Sequence, residues 1–169
     1  MNRAVNPKAA QLVSLATARG VTVATAESCT GGMIAAAITD IAGSSAVFGY
    51  GFVTYANAAK ADMLTVSIRV IEEHGAVSEP VARAMAEGAL QRAGADYAIA
   101  VTGIAGPDGG SAGKPVGTVW FGLARRCGIT HAERRVFPGD RTAIRAATVD
   151  HALDMLIMSI KGPDAEPNP

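Results

Sequence analysis

Residues 24–32, ATAESCTGG, take the chain from an apolar, β-branched strand through small hydroxyl and thiol residues and two glycines into a helix. Such a strand-to-helix turn is a building unit of layered α/β domains, and it leaves unpaired backbone N–H groups beside candidate nucleophiles. The flanking pattern agrees. Residues 8–18 have helical period, with Ala9, Leu12, Val13 and Leu15 or Ala16 on one side, and Gly20 stops that helix before the strand VTVATA. From Thr30 to Thr39 the side chains are small or apolar all round, which predicts a helix buried between layers. AGSSAVFGYGFVTYA reads as a loop and a strand that delivers Tyr55 and Asn57 to its C-terminal end and Lys60 to the next helix. Ser78-Glu79-Pro80 starts a helix with the Ser78 hydroxyl as cap, and DYAIAVTG is a short strand opening into the glycine loop TGIAGPDGG. Residues 116–124 and 129–137 form an antiparallel hairpin, and Asp140 caps a last helix with the apolar stripe Val149, Ala152, Leu153, Leu156 and Ile160. The expected fold is a three-layer α/β/α sandwich around a mixed, mostly parallel sheet with one antiparallel hairpin. Residues 1–161 form a single domain in this reading, and the tail GPDAEPNP, 162–169, is expected to be disordered.

A chain of 169 residues buries enough surface to fold without a disulfide or metal. Its 15 basic and 15 acidic residues cancel, so overall charge draws it neither to nucleic acid nor to an anionic membrane. Any anionic ligand must be met by a local cluster. Cys29 and Cys127 fit no metal-ligand spacing, no run is long and apolar enough to span a bilayer, and the N-terminus lacks a signal-peptide core. A soluble, cytoplasmic protein without a cofactor is expected.

Ligands of open α/β sheets bind beyond the carboxyl ends of the strands, where Ser28, Tyr55 and Thr102 fall. Ser28 is a nucleophile, with the amides of Thr30, Gly31 and Gly32 holding an oxyanion or a phosphate, or it is a simple helix cap. Ser45 of AGSS carries the same ambiguity. His74, His131 and His151 are far in sequence from the glycine loops, so a serine enzyme here needs another base, and a desolvated Lys60 qualifies. Tyr55 relays a proton or holds the amine. Cys29 as nucleophile lacks a histidine partner and reads better as core. Asp108 and Glu27 are candidate acids or binding carboxylates, although neither has sequence neighbours that assign a role, and the glycines match neither the Walker nor the dinucleotide fingerprint. Stepping back by fours from Val149 gives Arg145 and Arg141, two arginines directed at a site near a helix start.

Together ATAESCTGG, ITDIAGSSAVF, GFVTYANAAKADML, HGAVSEPVA, ADYAIAVTGIAGPDGGSAGKPVGTVWFG and GDRTAIR resemble the C-terminal domain of the CinA competence/damage-inducible family, in the stand-alone form known as nicotinamide-nucleotide amidase. The match runs from about residue 8 to 160 and includes nothing of the larger N-terminal domain of long CinA proteins. The resemblance implies hydrolysis of nicotinamide mononucleotide to nicotinate mononucleotide and ammonia, by a metal-independent serine/lysine mechanism, in a homo-oligomer with a dimer favoured. It places the family's functional pattern on Ser28, Ser45, Tyr55, Lys60 and Thr102, with an arginine of GDRTAIR, of which Arg145 is preferred from the helix face. Substrate-binding expectations fall on Thr30, Gly31, Gly32, Thr102, Gly103, Arg145 and Arg141. Ser28 is favoured over Ser45 as nucleophile. The competing reading is a nucleotide-binding module without chemistry, built from the same loops.

Overall fold

The computed structural model describes residues 5–162. The expected disordered tail therefore lies, beyond Gly162, outside the described residues. Helix α1, Pro7–Arg19, begins where the Asn6 side chain accepts from the Lys8 and Ala9 amides and ends at Gly20 in the left-handed region, φ 63°. Strand β1, Val23–Glu27, leads to helix α2, Met33–Thr39, and a 3-10 turn at Ser44–Ala46 precedes strand β2, Phe48–Val53. Helices α3, Asn57–Leu64, α4, Ile68–His74, and α5, Glu79–Ala93, follow. Strands β3, Tyr97–Gly103, β4, Thr118–Arg125, and β5, His131–Val136, lead to helix α6, Arg141–Lys161, where Asp140 accepts from the Ala143 amide at 2.9 Å.

The sheet order is β2-β1-β3-β4-β5. β1 pairs in parallel with both β2 and β3, and β4 pairs antiparallel with both β3 and β5, so four strands share one direction and β4 alone is reversed. The expected mixed sheet and hairpin are present. Alternation along β3 shows how the layers are held: Ile99 and Val101 face a core with α1, α2 and α6, whereas Ala98 and Ala100 face one with α3, α4 and α5. The alanine face brings α5 very close to the sheet. A Cβ on Gly122 of β4 would lie 2.2 Å from the Ala82 carbonyl oxygen of α5. Gly122→Ala is therefore expected to destabilise the protein by about 2–3 kcal/mol, as overpacking against backbone does, which urea unfolding will measure.

Three local expectations need correction. α2 is not buried all round: Ile34, Ala37 and Ile38 enter the core while Thr39 is exposed, and it starts at Met33 rather than Thr30. The Ser78 hydroxyl does not cap α5 but donates to the Gly75 carbonyl at 2.7 Å. α4 is an additional short helix, with only Ile71 fully buried, too brief to show a period.

Candidate active site

β1, β2 and β3 run in parallel, so their carboxyl ends open on one side of the sheet, where a cavity of about 300 Å³ forms. Ser28 follows β1, Tyr55 follows β2, Thr102 and Gly103 end β3, and Arg141 begins α6; all five line this cavity together with Lys60.

Lys60 is 1% exposed, one of the largest fully buried side chains. Its Nζ lies 3.1 Å from Ser28 Oγ, 2.9 Å from the Thr54 carbonyl oxygen and 3.3 Å from the Tyr55 carbonyl oxygen. Among the described residues no carboxylate pairs with it. Burial pushes its pKa below the ordinary 10.5. A neutral amine has two N–H donors and one lone pair. Two carbonyls take the donors here, and the lone pair is left for the Ser28 hydroxyl. The surroundings thus suit a neutral lysine acting on a serine.

The Tyr55 hydroxyl does not meet that amine. Its side chain is 60% exposed and its Oη accepts from Arg141 at 3.2 Å, so the expected phenol contact with Lys60 is replaced by one from the Tyr55 main chain. Arg141 also donates to the Gly106 carbonyl at 2.9 Å, which ties the glycine loop to the cavity mouth. Thr102 is buried and donates to the Ala76 carbonyl at 2.8 Å, joining β3 to the segment before α5. At Gly103 a Cβ would come within 2.8 Å of the Val119 side chain, so close approach of β4 accounts for the glycine.

Several expected contributors are engaged elsewhere. Ser45 precedes β2, whose first residue, Phe48, pairs with Val23 at the start of β1; Ser28 follows the far end of that strand. Parallel pairing therefore separates the two serines by roughly 15 Å along the sheet. Ser45 lines a different hollow with Thr22 and Ala95. Arg145, the preferred phosphate ligand, donates instead to the Cys29 and Thr30 carbonyls at 3.1 and 3.0 Å. Thr30 is fully buried and donates to Glu27 at 2.6 Å. The Gly31 amide donates to the Ser28 carbonyl at 3.1 Å and the Gly32 amide to Glu27, also at 3.1 Å. The Gly31 and Gly32 amides are therefore not free for an oxyanion or a phosphate.

What remains for an oxyanion lies on either side of Ser28. Among the described residues no backbone carbonyl accepts from the amides of Cys29, Ala105 or Gly106, and all three residues line the cavity. The Cys29 side chain is buried, and burial raises its thiol to about 11, which leaves a packing residue and not a nucleophile. Among the described residues no group of three His, Cys, Asp or Glu side chains is arranged to hold a metal ion, and no helix is long and apolar enough to cross a membrane.

The CinA C-terminal domain model matches residues 5–160, nearly the whole chain. The chain belongs to the CinA C-terminal domain family. A relative within reach of this CinA domain is the nicotinamide-nucleotide amidohydrolase PncC of Escherichia coli K12, 59% identical over 139 residues, covering 82% of the chain and 84% of the relative. The CinA-like protein of Geobacter sulfurreducens is 59% identical over 138 residues, but there the domain accounts for 33% of a longer protein. Among solved structures, the competence/damage inducible protein CihA of Agrobacterium tumefaciens superposes with a TM-score of 0.89 at 51% identity, covering 92% of this chain and 94% of that one. The three-layer fold is that of CinA-family structures.

Glu27, a candidate carboxylate to which the sequence assigned no role, is placed directly behind the Ser28 turn. It is fully buried at the end of β1, and its carboxylate accepts from Thr30 Oγ1 and from the amides of Gly32, Ile34 and Ala35. The signal was present in ESCTGG: a charged residue ending an apolar strand must find donors, and the glycines ahead supply them.

Proposed function

We propose that this chain is a nicotinamide-nucleotide amidase, hydrolysing the carboxamide of nicotinamide mononucleotide to nicotinate mononucleotide and ammonia, with Ser28 as nucleophile and Lys60 as general base. The contact of the buried Lys60 amine with Ser28 Oγ carries the reading, and likeness to the nicotinamide-nucleotide amidohydrolase PncC points to the substrate. Neutral Lys60 accepts the hydroxyl proton as Ser28 Oγ bonds to the carboxamide carbon. The Cys29 amide and the amides of the Ala105–Gly106 loop stabilise the resulting oxyanion. Protonated Lys60 then donates to the amide nitrogen, the C–N bond breaks, ammonia leaves and an ester on Ser28 remains. Water attacks that ester, its proton passes to Lys60, and Lys60 returns a proton to the departing Ser28 oxygen.

Arg141 is the cavity's cation for the phosphate, and its partners Tyr55 and Gly106 hold the guanidinium at the mouth. The reaction would serve pyridine-nucleotide recycling, and the cytoplasm is the compartment proposed. A homo-oligomer is part of the same reading. Purified protein is expected to release ammonia and nicotinate mononucleotide in equal amounts from nicotinamide mononucleotide, without loss of rate in a chelator. Tight binding of the nucleotide with no ammonia would instead establish a binding module.

A further inference from the structure

Glu27 takes no part in the proton transfers above and does not line the cavity, yet its carboxylate is more densely bonded than any other group near the site. We infer that Glu27 is a positioning residue for the amidase reaction, locking the turn that aims Ser28 at Lys60 and the Cys29 amide at the oxyanion. The inference rests on the amidase reading of the site.

Among the described residues, the backbone within the turn between β1 and α2 bonds only from the Gly31 amide to the Ser28 carbonyl and from the Met33 amide to the Thr30 carbonyl, at 3.1 and 3.3 Å. Gly31 and Gly32 both have positive φ, 59° and 101°, and Gly32, the cap residue just before α2, has no side chain with which to cap the helix. Glu27 supplies the missing acceptors from the strand. Its Oε2 takes Thr30 Oγ1 at 2.6 Å, the Gly32 amide at 3.1 Å and the Ile34 amide at 3.0 Å, and its Oε1 takes the Ala35 amide at 2.8 Å. An ordinary cap acts from the first residue of its own helix. This one reaches across Ser28, so the strand before the serine and the helix after it are fixed to each other.

Arg145 of α6 braces the other side of the same turn. Glu27 holds its amides, while the guanidinium holds the Cys29 and Thr30 carbonyls. A carboxylate that holds its amides and an arginine that holds its carbonyls thus fix the Ser28 turn, and neither lines the cavity. Such a grip matters because misplacing a reacting group by about 1 Å costs on the order of 10²-fold in rate.

Glu27→Gln keeps the shape but turns one acceptor into a donor facing donors. It is expected to lower kcat by about 10²-fold, with KM within about 3-fold and the acid limb of the pH profile unmoved, since Lys60 keeps its surroundings. Thr30→Val removes one of the four donors and is expected to lower kcat about 5-fold; it carries the test if the glutamine variant does not fold. Leu156→Ala, a core change on α6 away from the site, is the control for lost stability, with kcat unchanged. Amide hydrogen exchange reads the same claim without turnover. Protection over residues 30–35 should fall at least about 10-fold in the Glu27 and Thr30 variants and not in Leu156→Ala. Wild-type kcat in both site variants, or a loss matched by Leu156→Ala, overturns the inference while the amidase reading stands. A wild type inert towards nicotinamide mononucleotide overturns that reading instead, and unchanged exchange in both variants then overturns the positioning role as well.

Discussion

Lys60→Met is expected to lower kcat/KM for ammonia release by at least about 10³-fold and to abolish the acid limb of the pH–rate profile. Among the described residues no other side chain hydrogen-bonds Ser28 Oγ, and the two other groups on Lys60 Nζ are main-chain carbonyls already taken as acceptors. In the wild type, activity needs the neutral amine. The rate should therefore rise with pH through the Lys60 pKa, which burial places below 10.5. Stability follows the same titration. The unfolded chain binds a proton on this lysine up to about its ordinary pKa, whereas the folded chain gives it up at lower pH, so the unfolded state binds more protons in the interval between. Wild-type stability relative to Lys60→Met should consequently rise with pH across that interval, by at most about 1.4 kcal/mol per pH unit, and level off above 10.5. Urea midpoints of the two proteins at several pH values will show it.

Ser28→Ala is expected to lose activity to a comparable or greater degree, at least about 10³-fold in kcat, while its dissociation constant for nicotinamide mononucleotide stays within about 3-fold. The hydroxyl occupies little of the cavity and makes its one described side-chain hydrogen bond to Lys60, so binding survives its removal and bond formation does not. Ser45→Ala should keep wild-type kcat, since that serine sits beside Val23 and Thr22 at the opposite end of the sheet. Cys29→Ser should remain close to wild type as well, because a thiol raised to about 11 supplies almost no thiolate at neutral pH. Ammonia release with calorimetric binding separates these variants: a Ser28→Ala enzyme that turns over normally would move the nucleophile elsewhere.

The main features of the site were legible because parallel strands sort residues by their position along the chain. Ser28 and Tyr55 follow, and Thr102 ends, three strands that run the same way and so meet at one end, and Lys60 comes one turn into the helix after β2. The same rule argues against Ser45, which comes before its strand; the local pattern of glycine and serine obscured it, being much alike at the two ends. Arg141 and Arg145 share a helix face, one turn apart, and nothing in that spacing says which reaches the cavity. Packing decided it: α6 crosses above the β1–α2 turn so that Arg145 meets carbonyls while Arg141 extends to Tyr55 and Gly106. Glu27 escaped for a related reason, since its partners lie three to eight residues ahead, across a turn whose shape depends on two glycines in the left-handed region.

Hydroxylamine partitioning tests the central claim, that the carboxamide carbon is passed to Ser28 before water reaches it. If an ester on Ser28 forms, hydroxylamine will divert it to the hydroxamate of the mononucleotide at the expense of the acid. With acylation limiting the rate, total ammonia release will stay constant as hydroxylamine is raised, and Ser28→Ala will form no hydroxamate. Absence of hydroxamate at saturating hydroxylamine, or hydroxamate that Ser28→Ala still forms at the wild-type rate, would mean direct attack on the bound amide and would contradict a Ser28 acyl-enzyme.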